Sequence, residues 1–482
     1  MKTVNSQLGM RRNTSLAIDA AEATYKWCWE FLREFKRNPT SQIASERLLH
    51  FQDKLGESLY SLQICYNYLA QKRKAVYRSN RKRHRGSYSL RVQVVEKYLE
   101  AIRGTIRIGR QLGDSFAWIF YRREKHLLAK HIASEENFHF PTGLGGIGEL
   151  RFVQGMKKFG KCFVLYHGIT NILRLGDVSL IDLRKNKVAG IGELKTARRS
   201  ATELAMQLTV LSYKSDDDAL NMIDVPVRVD LQPVAWPQVV QERLKRQVSR
   251  IQESFEEKAS DAHLDCSVEG DGKYAEIEAV GKRALAEGFA FDKLSKGLVV
   301  VALRARWRRM SDRILRFSTK NLAAFPPEAL SAISSLVDQG NPENSIDVSV
   351  FHKPEESAYR ALNGISPILW WPIDLEVAES ILFQEVFLMT FFNSAHLAKE
   401  LREVGCEVVV DTKSGHLQVR VPVGGRWGEY QGFSHMQRMI TDLRSNESTL
   451  ARMISEIQKQ VSTLNVPNDA GLNMTVNVCH DF

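Results

Sequence analysis

The sequence predicts a mixed α+β protein, and three observations support this prediction. From about residue 14 to 134, apolar residues recur every three or four positions, which predicts long helices in a helical hairpin or bundle. From 147 to 231, short patterned runs predict the order helix, strand, strand, strand, helix, strand. Later in the chain, helix and strand patterns alternate, which predicts a mixed α/β region. The expected domains are residues 1–140, 141–260 and 261–482.

The composition predicts a polyanionic partner and no membrane segment. The 482 residues carry a net charge of +11, although a basic protein can also need its charge only for solubility. The six cysteines are scattered without zinc-site spacing, which favours reduced thiols in a cytoplasmic protein. The first residues lack the apolar core of a signal peptide, and the apolar run from Ile381 to Phe392 is too short to span a bilayer.

One dense basic run follows the second predicted helix. It consists of Lys72, Arg73, Lys74, Arg78, Arg81, Lys82, Arg83 and Arg85. Such a run can contact a phosphate backbone, where each cationic side chain displaces condensed counterions. The alternative is a solvated helix tip, which is the commoner role of a charge run. The motif described next favours contact with nucleic acid.

Two short apolar strands from Arg174 to Thr196 form the most informative stretch. Asp177 opens the first strand, Glu193-Leu194-Lys195 closes the second, and Asn186 is the expected left-handed residue of the turn. Pairing centred on Asn186 would place Asp177 opposite Lys195, whereas pairing centred on residue 185 would place it opposite Glu193. Both registers bring two carboxylates and a lysine to one face, which predicts binding of a divalent cation.

Two polar residues flank this hairpin on predicted helices. Glu149 shares an apolar helical face with Phe152 and Val153, although a glutamate near a helix N-terminus is also stabilised by the helix dipole. Gln207 lies in a segment from about 200 to 213 that reads as a helix, on the face that carries Leu204 and Leu211.

This order of elements, with these residues, resembles the PD-(D/E)xK nuclease superfamily, which has the restriction-endonuclease-like αβββαβ core. The resolvase-like and RecB-like branches are the nearest in pattern. Gly176 stands where the proline of the motif is expected, and Tyr213 does not fit the RecB-like Q-x-x-x-Y pattern. The resemblance covers residues 147–231 only.

The resemblance implies a catalytic centre with a bound Mg²⁺ or Mn²⁺. Asp177, Glu193, Glu149 and the Leu194 carbonyl would hold the metal, Lys195 would orient the attacking water, and Gln207 would steady the lysine or the water. The expected function is a metal-dependent endonuclease that hydrolyses DNA, and such a protein would suit prokaryotic anti-phage defence. The alternatives are an inactive nuclease-like fold that only binds nucleic acid, and a helical scaffold for assembly.

The remaining patterns predict structure rather than chemistry. His126, His131 and His139 do not share a helical face, which predicts an ordinary polar surface. Residues 236–259 and 376–404 read as helices, the latter as one long helix or a helix pair, and 407–422 reads as a hairpin. Residues 434–464 read as a helix that could cap the fold or form a coiled coil, so the helical regions could mediate a homo-oligomer.

Overall fold

The protein is mixed α+β, with eleven helices and three antiparallel sheets in the residues that the computed structural model describes. It divides into two compact units, one of Met1–Lys258, Trp307–Phe317 and Pro354–Trp370 and one of Ala259–Arg306, Ser318–Lys353 and Trp371–Phe482. Residues 1–140 and nearly all of 141–260 therefore fall in the first unit. The described residues are 2–38, 45–79, 85–124, 127–128, 130–131, 143–155, 162–198, 204–212, 238–255, 273–305, 310–311, 325–350, 366–411, 416–423, 426–430, 433–441, 443 and 447–462.

The first unit begins with the predicted bundle of three long helices: α1 (Lys2–Arg37), α2 (Ser45–Ser79) and α3 (Arg85–Tyr121). Its centre is aromatic, since Phe51 of α2 stacks on Phe116 of α3 with ring centroids 4.3 Å apart. Phe116 and Phe120 both pack against Phe163. The prediction of a helical N-terminal region is confirmed.

A four-stranded antiparallel meander, in the order β1-β2-β3-β4, packs against this bundle. Its elements are helix α4 (Leu144–Gly155), β1 (Phe163–Tyr166), a 3₁₀ turn (His167–Ile169), β2 (Val178–Asp182), β3 (Lys187–Arg198), β4 (Leu204–Ser212) and helix α5 (Gln238–Phe255). The predicted helix over 200–213 is wrong, because residues 204–212 pair along β3 and supply the partner that its last six residues need. The predicted strand from 226 to 231 lies outside the described residues.

Two contacts fix the sheet on the bundle. The buried Gln52 side chain of α2 donates to the Val164 carbonyl at 2.9 Å and accepts from the Tyr166 amide at 3.2 Å. Gln52 thereby makes hydrogen bonds with the edge of β1 that a neighbouring strand would otherwise make. At Gly113 of α3, an added Cβ would lie 1.9 Å from the Ile169 carbonyl oxygen, so only glycine permits this approach of helix to turn.

The second unit contains a four-stranded sheet in the order β5-β6-β8-β7 and a three-stranded sheet in the order β11-β10-β9. β6 is the buried strand predicted from its apolar run, with its first five residues buried, and Val299 and Val301 pack with Phe391, Phe325 and Leu336. The elements are α6 (Tyr274–Glu287), β5 (Phe289–Lys293), β6 (Leu298–Arg304), α7 (Pro327–Ser334), β7 (Ile346–Val350), α8 (Leu375–Leu382), β8 (Val386–Asn393), α9 (Ser394–Glu403), β9 (Glu407–Val410), β10 (Leu417–Val423), β11 (Arg426–Glu429), α10 (Phe433–Thr441) and α11 (Glu447–Ser462).

Two helix predictions in this unit are wrong. Residues 376–404 contain strand β8 between α8 and α9, because residues 386–393 pair with strands on both sides. The segment 434–464 forms α10 and α11 rather than one helix, and Leu443 between them has a φ of 61° that no α-helix accommodates. None of the helices described combines the length and the apolar composition needed to cross a membrane. Cys28, Cys65, Cys162 and Cys406 are free thiols.

Candidate functional site

The register of the β2–β3 hairpin places Asp177 opposite Glu193. Val178 pairs with Gly192, so the preceding and following residues face each other, as expected for pairing centred on residue 185. A bulge between Leu180 and Ile181 shifts the register nearer the turn, where Asn186 has the expected positive φ of 48°. The predicted grouping of Asp177, Glu193 and Lys195 at one end of the hairpin is therefore present.

Gly176 explains why this chain lacks the proline expected before the aspartate. Its φ is +68°, a left-handed conformation that the proline ring cannot adopt. An added Cβ would also lie 2.7 Å from the Gly192 carbonyl oxygen. This close approach lets the Asp177 amide donate to that same carbonyl at 2.8 Å, so glycine sets where the aspartate lies.

The Asp177 carboxylate is held against the Glu-Leu-Lys segment of β3. Its Oδ2 accepts a hydrogen bond from the Leu194 amide at 2.6 Å. Withdrawal from water raises the pKa of Asp177 well above its ordinary value, and the Glu193 and Glu149 charges raise that pKa further. The Leu194 amide and the Lys195 charge oppose this rise but do not cancel it.

Lys195 and Glu193 form an ion pair on one face of β3. The Lys195 Nζ donates to Glu193 Oε1 at 2.5 Å, and the Glu193 side chain is only 4% exposed. The same ammonium donates to Gln247 Oε1 at 2.8 Å. Gln247 belongs to α5, a helix whose sequence indicated only an amphipathic pattern. The packing of α5 on β3 and β4, which joins Gln247 to Lys195, follows from tertiary structure alone.

Glu149 approaches the hairpin from α4. This helix packs closely on β3, since an added Cβ at Gly148 would meet the Thr196 side chain. Glu149 is 8% exposed, and its Oε2 accepts from the Tyr166 hydroxyl at 3.0 Å. The pKa of Glu149 is raised to about 7, chiefly by burial and also by the Glu193 charge, while the Tyr166 hydrogen bond and the Lys195 charge oppose the rise. The predicted face is confirmed, because Phe152 and Val153 are buried with Glu149.

Gln207 does not lie on a helix. It belongs to β4 and pairs directly with Lys195 of β3, on the exposed part of the strand. The role predicted for it, to steady the lysine or the water, stays a prediction, and Gln247 of α5 is a second glutamine at the lysine, with its Oε1 accepting from Lys195 Nζ. The helix prediction failed because the pattern of residues 204–211 suits a helix and a strand equally well. The strand forms because β3 extends beyond β2 and pairs with this segment.

The donors around the hairpin suit a hard divalent cation, although no metal cage is preformed in the described residues. Glu149, Asp177 and Glu193 supply carboxylate oxygens, the ligands that Mg²⁺ and Mn²⁺ prefer. In the described part of the chain, no three His, Cys, Asp or Glu side chains are gathered as a metal-binding group. Glu193 is instead paired with Lys195, and Asp177 with a backbone amide. A bound cation would favour the ionised carboxyls that burial now disfavours.

The predicted basic run is only partly described. Lys72, Lys74 and Arg78 are exposed at the end of α2, where Lys74 and Arg78 line an open concavity. Arg73 instead bonds Glu96 of α3 at 3.0 Å. Helix α3 already begins at Arg85, although the side chain of that residue is not among those described. Arg81, Lys82 and Arg83 lie outside the described residues.

The structure corrects the prediction for His131 and reveals polar residues that sequence reasoning missed. His131 is fully buried, as are His167, Ser179 and Tyr121, whereas His126 and His139 lie outside the described residues. These four side chains are hydrogen-bonded to one another beside the Asp177 turn. One signal was present in the sequence: Ser179 interrupts the apolar strand β2 two residues after Asp177, on the same strand face.

Comparison of the chain with protein-family models, with curated proteins and with solved structures finds no match in any of the three.

Proposed function

We propose that the chain is a metal-dependent nuclease with a restriction-endonuclease-like core built on the β2–β3 hairpin. The observation that carries the proposal is the hydrogen bond from the Leu194 amide to Asp177, which joins the aspartate to the Glu193-Leu194-Lys195 segment. A chain that needed only a stable hairpin would gain little from two carboxylates here, because burial and the neighbouring Glu193 and Glu149 charges oppose the ionisation of Asp177. Hydrolysis of a phosphodiester gives such a cluster a purpose.

The roles follow from the contacts. Asp177 and Glu193, with Glu149 and the Leu194 carbonyl, would hold Mg²⁺ or Mn²⁺. The bound metal would polarise the phosphate and lower the pKa of the attacking water. Lys195, released from Glu193, would stabilise the charge that develops on the phosphoryl oxygens as the water oxygen bonds to phosphorus and the ester P–O bond breaks. Gln247 would hold the lysine in place during that exchange of partners.

Exposed arginines on α5 support a nucleic acid as the substrate. Arg243, Arg246 and Arg250 recur at helical spacing and are exposed, on the helix whose Gln247 contacts Lys195. A phosphate backbone that reached Lys195 would therefore pass along a basic helix. The exposed Lys72, Lys74 and Arg78 of α2 add a second basic surface in the same unit. We propose DNA as the substrate and internal cleavage as the reaction.

One observation favours the alternative, a nuclease-like fold that binds nucleic acid without cleaving it. In the metal-free structure Lys195 is paired with Glu193, and this ion pair must open if Glu193 Oε1 is to bind a cation. A binding protein would keep this ion pair permanently. The two functions differ in a single measurable property, which is cleavage in the presence of a divalent cation.

The experiment is a cleavage assay on the purified full chain. Plasmid DNA, single-stranded DNA and RNA are each incubated with Mg²⁺ or Mn²⁺, and with EDTA as the metal-free control. Lys195→Ala should abolish cleavage and leave binding largely unchanged, whereas Lys185→Ala, at the exposed turn of the same hairpin, should cleave like the wild type. Equal cleavage by Lys195→Ala would refute the proposal. Binding of the wild type without cleavage under any metal would establish the alternative.

A further inference from the structure

A chain of four fully buried polar side chains lies beside the turn that carries Asp177. The Tyr121 hydroxyl is 3.0 Å from His131 Nε2 and 2.5 Å from the Ser179 hydroxyl. The Ser179 hydroxyl is 2.6 Å from His167 Nε2. All four residues are fully buried, so each polar atom depends on protein partners for its hydrogen bonds. Such a cluster must have a definite arrangement of protons.

The backbone groups at the two ends of this hydrogen-bonded series fix those protons, because an amide can only donate a hydrogen bond and a carbonyl can only accept one. The Leu175 amide can only donate, so His131 Nδ1, at 3.0 Å, accepts and carries no hydrogen. The Gly176 carbonyl can only accept, so His167 Nδ1, at 3.0 Å, carries a hydrogen and donates it. Burial also lowers the pKa of His131 well below its ordinary value and that of His167 to about 4, which agrees with neutral rings.

The interior bonds then have one consistent direction. His131 donates from Nε2 to the Tyr121 oxygen, Tyr121 donates to Ser179, and Ser179 donates to His167 Nε2. The series starts at the Leu175 amide and ends at the carbonyl of the next residue, Gly176. It therefore closes on itself through the backbone immediately before Asp177. We call the four side chains the buried circuit.

The backbone of the turn is held at neighbouring points as well. The His167 amide donates to the Asp177 carbonyl at 3.0 Å, so the histidine contacts the turn through both main chain and ring. Further back, the buried Asp114 carboxylate of α3 accepts from the amides of Asn171 and Ile172 at 2.6 and 3.1 Å. The segment leading to Asp177 is thus fixed by buried groups rather than by surface contacts.

Two other roles for the circuit do not fit its geometry. Ser179 beside His167 resembles a nucleophile and its base, but the serine is 0% exposed and a substrate does not reach it. A metal site is also excluded for this arrangement, because all four imidazole nitrogens already take part in hydrogen bonds.

We propose that Tyr121, His131, His167 and Ser179 are positioning residues that hold the Leu175–Asp177 turn, and through it the Asp177 carboxylate, ready for a divalent cation. This inference rests on the proposed nuclease function for its purpose. It predicts that loss of a circuit hydroxyl weakens metal binding while the fold remains intact. Outer partners of metal ligands typically contribute roughly 10- to 100-fold in metal affinity or activity.

The test compares variants that differ only in a hydroxyl. Tyr121→Phe removes the phenol oxygen. Ser179→Thr and Ser179→Val add the same volume, but only threonine keeps the hydroxyl. Ser115→Ala is the control, because it removes a buried serine hydroxyl on α3 that donates to the Gln111 carbonyl of its own helix. Mn²⁺ affinity is measured by calorimetry on the full chain, and the unfolding midpoint of each variant is measured in EDTA.

The expected result is a loss of Mn²⁺ affinity of roughly tenfold or more in Tyr121→Phe and Ser179→Val, near-wild-type affinity in Ser179→Thr, and no loss in Ser115→Ala. For DNA cleavage, kcat should fall and KM should stay nearly constant. In nitrogen-15 spectra of the histidine-labelled wild type, the signals of His131 and His167, two of the twelve histidines, should be those of neutral rings, with His131 protonated at Nε2 and His167 at Nδ1. Charged rings, or two rings with the same tautomer, would refute the circuit.

Failure of the inference differs from failure of the proposed function. If the wild type binds Mn²⁺ and cleaves DNA, but Tyr121→Phe and Ser179→Val match Ser115→Ala in affinity and kcat, the positioning role is wrong. If the wild type binds no Mn²⁺ and cleaves nothing, the nuclease function fails and the positioning role fails with it.

Discussion

Glu149→Gln should remove much of the pH dependence of stability in the metal-free protein. Glu149 is nearly buried, and its pKa is raised from 4.5 to about 7, first by burial and then by the Glu193 charge. Glutamine has the same shape as the protonated acid, cannot ionise, and can still accept the hydrogen bond from Tyr166. The substitution therefore removes the ionisation of this carboxyl, together with the Glu149 charge that helps to raise the pKa of Asp177.

The sign and size follow from the two pKa values. Because the folded pKa lies above the unfolded one, the stabilising contribution is complete below about pH 4.5 and is lost as the pH rises through about 7. One pKa unit corresponds to about 1.4 kcal/mol, so the whole loss is about 3 kcal/mol. Between about pH 5 and pH 8 the wild type should lose about 2.5 kcal/mol that the variant keeps.

The assay is chemical denaturation in EDTA at the two pH values, for wild type, Glu149→Gln and the control Glu46→Gln. Glu46 is an exposed glutamate in the first turn of α2, and its substitution should change stability by less than about 0.5 kcal/mol at either pH. A variant that loses as much free energy of unfolding as the wild type between these pH values would refute the burial of an ionisable Glu149 at this site.

Three further substitutions test the geometry around the hairpin. Gln247→Ala should lower kcat by roughly tenfold without changing DNA affinity, because Gln247 holds Lys195. Gln207→Ala should have a smaller effect on kcat, and the reverse order would contradict the assignment of Gln247 as the residue that holds the lysine. Arg246→Glu should weaken DNA binding and reduce the slope of log affinity against log salt by about 1 or more, and an unchanged slope would show that α5 does not contact phosphate. Gly176→Ala should destabilise the protein by about 1–2 kcal/mol or more, since its φ is +68°, and an unchanged denaturation midpoint would contradict that conformation.

Local signals in the sequence were enough to predict the hairpin that carries the site. Asn186 tolerates the left-handed conformation of the turn, and the two carboxylates share a face in every register except one slipped by a single residue. Glu149 was predictable for a similar reason, because helical spacing alone places it among buried residues. The choice between the two registers required the structure, because a bulge near the turn shifts the pairing.

The wrong helix predictions arise where pairing with another strand decides between a helix and a strand. Residues 204–212 and 386–393 each carry apolar residues compatible with a helix, and each becomes a strand because a neighbouring strand offers a long unpaired edge. Gln247 and His131 were missed for a different reason. Their partners, Lys195 and the Leu175 amide, are far away in sequence, and no spacing within one element indicates such a contact.

The rate of plasmid cleavage by Asp177→Asn over a range of Mg²⁺ concentrations tests the central claim most directly. Asparagine can still accept the hydrogen bond from the Leu194 amide, so the turn should keep its geometry while the anionic metal ligand is lost. We predict that the wild type cleaves DNA only with the metal, and that Asp177→Asn binds DNA but does not cleave it at any Mg²⁺ concentration. Cleavage by Asp177→Asn at the wild-type rate would contradict the assignment of this hairpin as a metal-dependent nuclease centre.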